Sequence, residues 1–119
     1  MIKVTGKAVR QIVRTLDPET RNPQNKEGKC LYTSSRGKHC IAGEVLTRLG
    51  VDVPRYRTKE NSTSIVSLFQ YGWFEGVEFT EAAQRTLSEL QNAADIHENQ
   101  NTWSGPARKW GDAIKEAKI

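Results

Sequence analysis

The sequence predicts a mainly α, α+β fold: a single small helical domain of about five helices with one short β-hairpin. Three observations carry this expectation. Apolar residues recur at helical spacing in several separate segments. Capping residues and glycines stand at the ends of those segments. Residues 29–50, KCLYTSSRGKHCIAGEVLTRLG, pass from strand-prone residues through a turn cluster into a helical period. A chain of 119 residues suits one domain. At that size folding buries roughly 65% of the unfolded surface, enough for one core without disulfide staples.

Residues 1–16 read as a basic amphipathic helix. Thr5 can cap it, Ala8, Val9, Ile12, Val13 and Leu16 form the apolar stripe, and Pro18 stops it. Lys7, Arg10 and Arg14 fall on the opposite face. Residues 17–28 carry two prolines and almost no apolar side chain, so a polar loop is expected there. In residues 29–50, a turn centred on Ser35 would set Cys30 opposite Cys40 in a hairpin. Ile41, Ala42, Val45, Leu46 and Leu49 then share one helical face, with Gly50 as the left-handed terminator. Gly43 lowers helix propensity inside this segment and so marks a close backbone approach.

Residues 51–79 comprise a connector, a helix and an aromatic link. Asn61 or Ser62 can cap the helix, whose apolar face is Ile65, Val66, Leu68 and Phe69, ending at Gly72. Tyr71, Trp73, Phe74, Val77 and Phe79 make the link, expected as a core-covering loop or a short strand. Residues 80–118 read as a helical hairpin. Thr80 caps a long helix reaching His97 or Glu98, with Ala83, Leu87, Leu90, Ala94 and His97 as its seam. Ser104, Gly105 and Pro106 start the last helix, striped by Ala107, Trp110, Ile114 and Ala117.

Charge is uneven along the chain. Residues 1–59 hold 13 Lys/Arg and 5 Asp/Glu, a balance of +8, while residues 60–119 hold 5 and 9, a balance of −4. A basic face of that kind meets nucleic acid or an acidic protein surface, or else neutralises its own acidic half. Lys7, Arg10, Arg14, Arg55, Tyr56, Arg57 and Lys59 are the candidate residues for such contacts. Tyr56 stands among cations, an arrangement able to stack on a base while holding phosphate. Trp73 and Phe74 are the candidate protein-binding aromatics. No apolar run is long enough to span a membrane, and the amino-terminal residues lack the apolar core of a secretory signal.

The pattern C-x-Y, a turn with glycine, then C-I-x-G-x-x-L-x-x-L-G rests on Cys30, Tyr32, Gly37, Cys40, Ile41, Gly43, Leu46, Leu49 and Gly50. It resembles a family of small proteins of unknown function encoded by phages of actinobacteria, of the mycobacteriophage type. The likeness runs over residues 29–119, through Leu87, Leu90, Gln91 and Asp95 to Trp103 or Trp110. It implies a phage origin and a bacterial cytoplasm, and it carries over no catalytic residue. In that reducing compartment Cys30 and Cys40 are expected as buried structural thiols; a hairpin disulfide formed on oxidation is the alternative.

Enzymatic readings find little support in the residues. Cys40 precedes a helix, where a thiol pKa falls, so a cysteine hydrolase with His39 or His97 as base is conceivable. Cys30, Cys40, His39 and His97 offer four nitrogen or sulfur ligands, but C-x9-C is wider than the usual zinc knuckle. Phosphate-binding glycine motifs are absent. The expectation is a non-catalytic phage accessory protein without a cofactor that binds a host protein in the bacterial cytoplasm. A nucleic-acid (DNA) binding protein using a basic amino-terminal face comes second, and a cysteine-dependent hydrolase third.

Overall fold

A computed structural model of the chain describes residues 2–23, 31–95 and 108–119. Among these residues it contains five α-helices and a short two-stranded parallel sheet, a compact and mostly helical α+β domain. The helices are α1 (Gly6–Val13), α2 (Ile41–Arg48), α3 (Ile65–Gln70), α4 (Glu81–Ala94) and α5 (Trp110–Ala117). The strands are β1 (Ile2–Val4) and β2 (Val77–Phe79), and Lys59–Ser62 form a single 3-10 turn.

Helix α4 is the hub, packed against each of the other four helices. Its seam of Ala83, Leu87, Leu90 and Ala94 is fully buried, as the periodicity predicts. The remainder of the seam, His97, lies outside the described residues, as do Ser104 and Ala107 of the expected last-helix start. Helix α5 instead begins at Trp110, with Lys109 as its cap residue. Thr5 and Thr80 cap α1 and α4 by accepting from the N–H groups of Ala8 and Ala83. Ser64, and neither Asn61 nor Ser62, caps α3, accepting from the Ser67 N–H. Gly50 and Gly72 end α2 and α3 at φ of +82° and +71°, where a Cβ would be strained.

The close approach expected at Gly43 is present. A Cβ built there would lie 2.9 Å from the Tyr32 carbonyl oxygen and 3.2 Å from the Tyr32 Cα. Both are backbone atoms that cannot rotate aside. Gly43→Ala is therefore expected to destabilise the fold by about 2 kcal/mol, even though alanine is the better helix former. Urea unfolding checks this; an unchanged or raised midpoint would show that the contact is loose.

The β structure differs from the expected hairpin. Residues 31–40 do turn back: the Ser34 N–H donates to the Lys38 carbonyl at 2.7 Å and the Cys40 N–H to that of Leu31 at 2.9 Å. Between these two bonds no ladder forms, because Asn61 claims the backbone. Its carbonyl accepts from the Tyr32 N–H, its Oδ1 accepts from the Thr33 N–H, and its Nδ2 donates to the Thr33 carbonyl. The sheet pairs Ile2 with Val77, Lys3 with Glu78 and Val4 with Phe79 instead. Three residues such as Ile2–Val4 carry no readable alternation, so this strand exists only because β2 is beside it.

The first half of the polar loop, residues 17–23, is turn and coil as expected, and it is pinned to a distant segment. The Asn22 N–H donates to the Arg108 carbonyl, the Trp110 N–H to that of Thr20 and the Gly111 N–H to that of Pro18. Residues 18–22 are thus laced to the start of α5. Residues 24–30, including Cys30, lie outside the described residues.

Candidate functional site

Lys7, Arg10 and Arg14 stand exposed on α1 and its cap, opposite Val9 and Val13, which are buried against α4 and α2. Spacings of three and four put the three cations on one ridge. None makes an ion pair among the described residues, although Lys3 at the neighbouring strand reaches Glu78 at 3.9 Å. Arg36, Lys38, Arg55, Arg57 and Lys59 are likewise exposed and make no ion pair among the described residues. Eight of the thirteen cations in the first half therefore have no acidic partner among the described residues. The described part of the acidic half forms no ion pair with them, so self-neutralisation among the described residues does not account for the charge asymmetry.

Arg55, Tyr56, Arg57 and Lys59 form an exposed turn. Tyr56 is 44% exposed, with the Arg57 guanidinium 5.6 Å from its ring centroid. Arg57 has φ of +74°, an unfavourable left-handed conformation for a residue other than glycine.

Trp73 and Phe74, adjacent in sequence, part company. Trp73 is 36% exposed and lines a concavity of about 370 Å³ with Ile2, Val51, Asp52, Glu75 and Val77. Phe74 is 8% exposed, and its ring lies 5.5 Å from that of Phe69 and 5.1 Å from that of Phe79. It is a core side chain and forms only the floor of that concavity. As a protein-binding anchor Phe74 is thereby corrected: three mutually packed phenylalanines bury more apolar area than a surface ring can.

Cys40 is fully buried, and its sulfur is in a disulfide, not a thiol. The expectation of a free structural thiol at Cys40 is corrected accordingly, while Cys30 lies outside the described residues. A buried disulfide sulfur offers no thiolate to a substrate. His39 is engaged as well: its Nδ1 lies 2.6 Å from the Tyr32 carbonyl oxygen. A carbonyl only accepts, so that nitrogen carries the proton. Among the described residues no group of three His, Cys, Asp or Glu side chains is placed to hold a metal. No described helix is long and apolar enough to cross a membrane.

Two buried amides hold the framework beneath these surfaces. Asn22 Oδ1 accepts from the Ile41 N–H at 2.7 Å and from the Trp110 indole N–H at 3.2 Å. Gln91 Oε1 accepts from the Ile65 N–H at 2.6 Å, and its Nε2 donates to the Tyr32 hydroxyl at 2.7 Å. The Tyr32 hydroxyl in turn donates to the Thr63 carbonyl at 2.6 Å. Burial pushes the Tyr32 phenol well above its ordinary pKa; the Gln91 hydrogen bond opposes this, and the charge of Asp95 adds to it. Tyr32 is thus a neutral hydrogen-bonding strut, not an acid or base.

Sequence reasoning did not single out Asn22, named Gln91 only as a residue of the motif resemblance with no structural role, and did not bring Arg36 and Lys38 into the basic set. The turn glycine beside them, Gly37, was the available signal. No family model, curated protein or solved structure matches the chain.

Proposed function

We propose that this protein is a non-catalytic binding protein whose partner is nucleic acid, held through the exposed cations of its first half. One observation supports this over the other readings: eight exposed Lys and Arg side chains have no acidic partner among the described residues. Leaving so many like charges unneutralised on a small domain costs self-repulsion, which a polyanion relieves by releasing its own counterions. The α1 ridge of Lys7, Arg10 and Arg14 suits backbone phosphates and reads no base. The motif resemblance to actinobacteriophage proteins adds a setting, that of a phage accessory product.

Mobility shifts with duplex and single-stranded probes at low salt test this reading. Retardation at micromolar protein is expected, weakening steeply as salt is raised. Replacing Lys7, Arg10 and Arg14 together by glutamine is expected to lower the slope of log K against log salt by about 3. Absence of any retardation with either probe would end the proposal.

A second reading, a host protein as partner, is favoured by one different observation. Trp73 and Ile2 are exposed on a concavity rimmed by Asp52 and Glu75. Trp73→Ala should then abolish capture of a defined lysate protein while leaving nucleic-acid affinity unchanged.

A further inference from the structure

Two basic segments that are separate in sequence share one root in the fold. The Thr33 hydroxyl donates to the Pro54 carbonyl at 2.8 Å, and the Thr33 backbone is clasped from both sides by the Asn61 side chain. Thr33 opens the loop that carries Arg36 and Lys38; Pro54 and Asn61 bracket the turn that carries Arg55, Tyr56, Arg57 and Lys59. Both loops are closed on themselves. The Ser34 N–H reaches the Lys38 carbonyl at 2.7 Å, and the Thr58 N–H and hydroxyl reach the Arg55 carbonyl at 3.2 and 2.8 Å. Five exposed cations thus issue from one anchor, against a single acid, Glu60. Tyr56 is the exposed ring among them.

We infer that these paired loops are a binding surface for single-stranded nucleic acid, with Tyr56 as the stacking platform and Arg36, Lys38, Arg55, Arg57 and Lys59 as phosphate contacts. The inference rests on the proposed nucleic-acid reading and names its substrate class. A base in a duplex is stacked on both faces and has none to offer a tyrosine, whereas an unpaired base has. The surface is made of loops and presents no helix to a major groove. An acidic protein would answer the charge but would leave the ring without a use. The left-handed Arg57 fits the same purpose: it holds the backbone in a conformation that sets the Tyr56 ring and the Arg57 guanidinium together at the surface.

Fluorescence anisotropy decides the matter, using the whole chain, an oligothymidylate and an oligouridylate of about 15 nucleotides, and a duplex of the same length. Tyr56→Ala is expected to weaken single-strand binding roughly 5- to 150-fold and to leave duplex binding nearly unchanged. Tyr56→Phe keeps the ring and should bind as the parent does. Arg36→Gln with Lys38→Gln should weaken the same single strand, showing that the first loop takes part. The stronger of the thymidylate and uridylate arms names DNA or RNA.

Single-strand binding that survives all these changes yet is lost in the α1 glutamine variant would overturn the inference and leave the proposed function standing. Duplex binding without single-strand binding would do the same. No binding of any probe would remove both. Preference for polyglutamate over all three nucleic acids would assign the surface to an acidic protein and overturn both. Thermal melting of each variant accompanies the titrations; Tyr56 and the cations are exposed, so unchanged midpoints are expected.

Discussion

Replacing Asn22 by alanine is expected to lower stability by about 3 kcal/mol, the largest loss from any single polar side chain described above. Its Oδ1 is the acceptor for two buried donors at once, the Ile41 N–H that opens α2 and the indole N–H of Trp110, the first residue of α5. Removing the amide leaves both without a partner, each costing about 1–3 kcal/mol. Part of that cost is offset, because Asn22 Nδ2 is itself buried without a hydrogen-bond partner among the described residues and its removal relieves that burial. For a chain of this length the net loss corresponds to a fall in melting temperature of roughly 10 °C. Calorimetry on the parent and on Asn22→Ala measures it. A fall under about 2 °C would mean that water reaches both donors and that the residue is not a structural hinge between α2 and α5.

Gln91→Leu should cost almost as much, about 2–3 kcal/mol, by the same logic at a different helix. Leucine preserves apolar volume on α4, so packing alone forecasts a near-neutral change. The Ile65 N–H, however, is buried at the start of α3 and has Gln91 Oε1 as its acceptor. The Tyr32 hydroxyl loses its donor as well, but keeps its own bond to the Thr63 carbonyl. A double-mutant cycle separates the two contributions. Tyr32→Phe and Gln91→Leu together should cost less than their sum, since each deletes the bond between them. Strict additivity would show that the Tyr32–Gln91 contact carries no energy and that the Ile65 donor accounts for the whole loss.

These two amides mark the limit of what could be read along the chain. Asn22 sits in a segment that looks like solvated loop, with prolines on both sides and hardly an apolar neighbour. Its burial follows only when residues 18–22 line up beside residues 108–111, some ninety positions away. The basic surface divides in the same way. Lys7, Arg10 and Arg14 were legible because helical spacing makes neighbours of residues three and four apart. Arg36 and Lys38 joined residues 55–59 only through the bonds of Thr33 to Pro54 and to Asn61, a residue that local pattern assigns to a helix cap. Trp73 and Phe74 show the converse: two adjacent aromatics have equal claims in sequence, and the Phe69 and Phe79 rings select one for the core.

From residue order alone came the mainly helical class, the apolar faces of α1, α2 and α4, the threonine caps, and the glycines at positions 43, 50 and 72. All of these depend on interactions within one or two turns, where periodicity and backbone sterics act without distant help. The parallel pairing of β1 with β2, the failure of the ladder at residues 31–40, the two remote amide caps and the common root of the basic loops were decided only in three dimensions. Each depends on a donor meeting an acceptor from a distant part of the chain. Such partners are chosen by which surfaces the collapsing helices bring together, and no local rule specifies that choice.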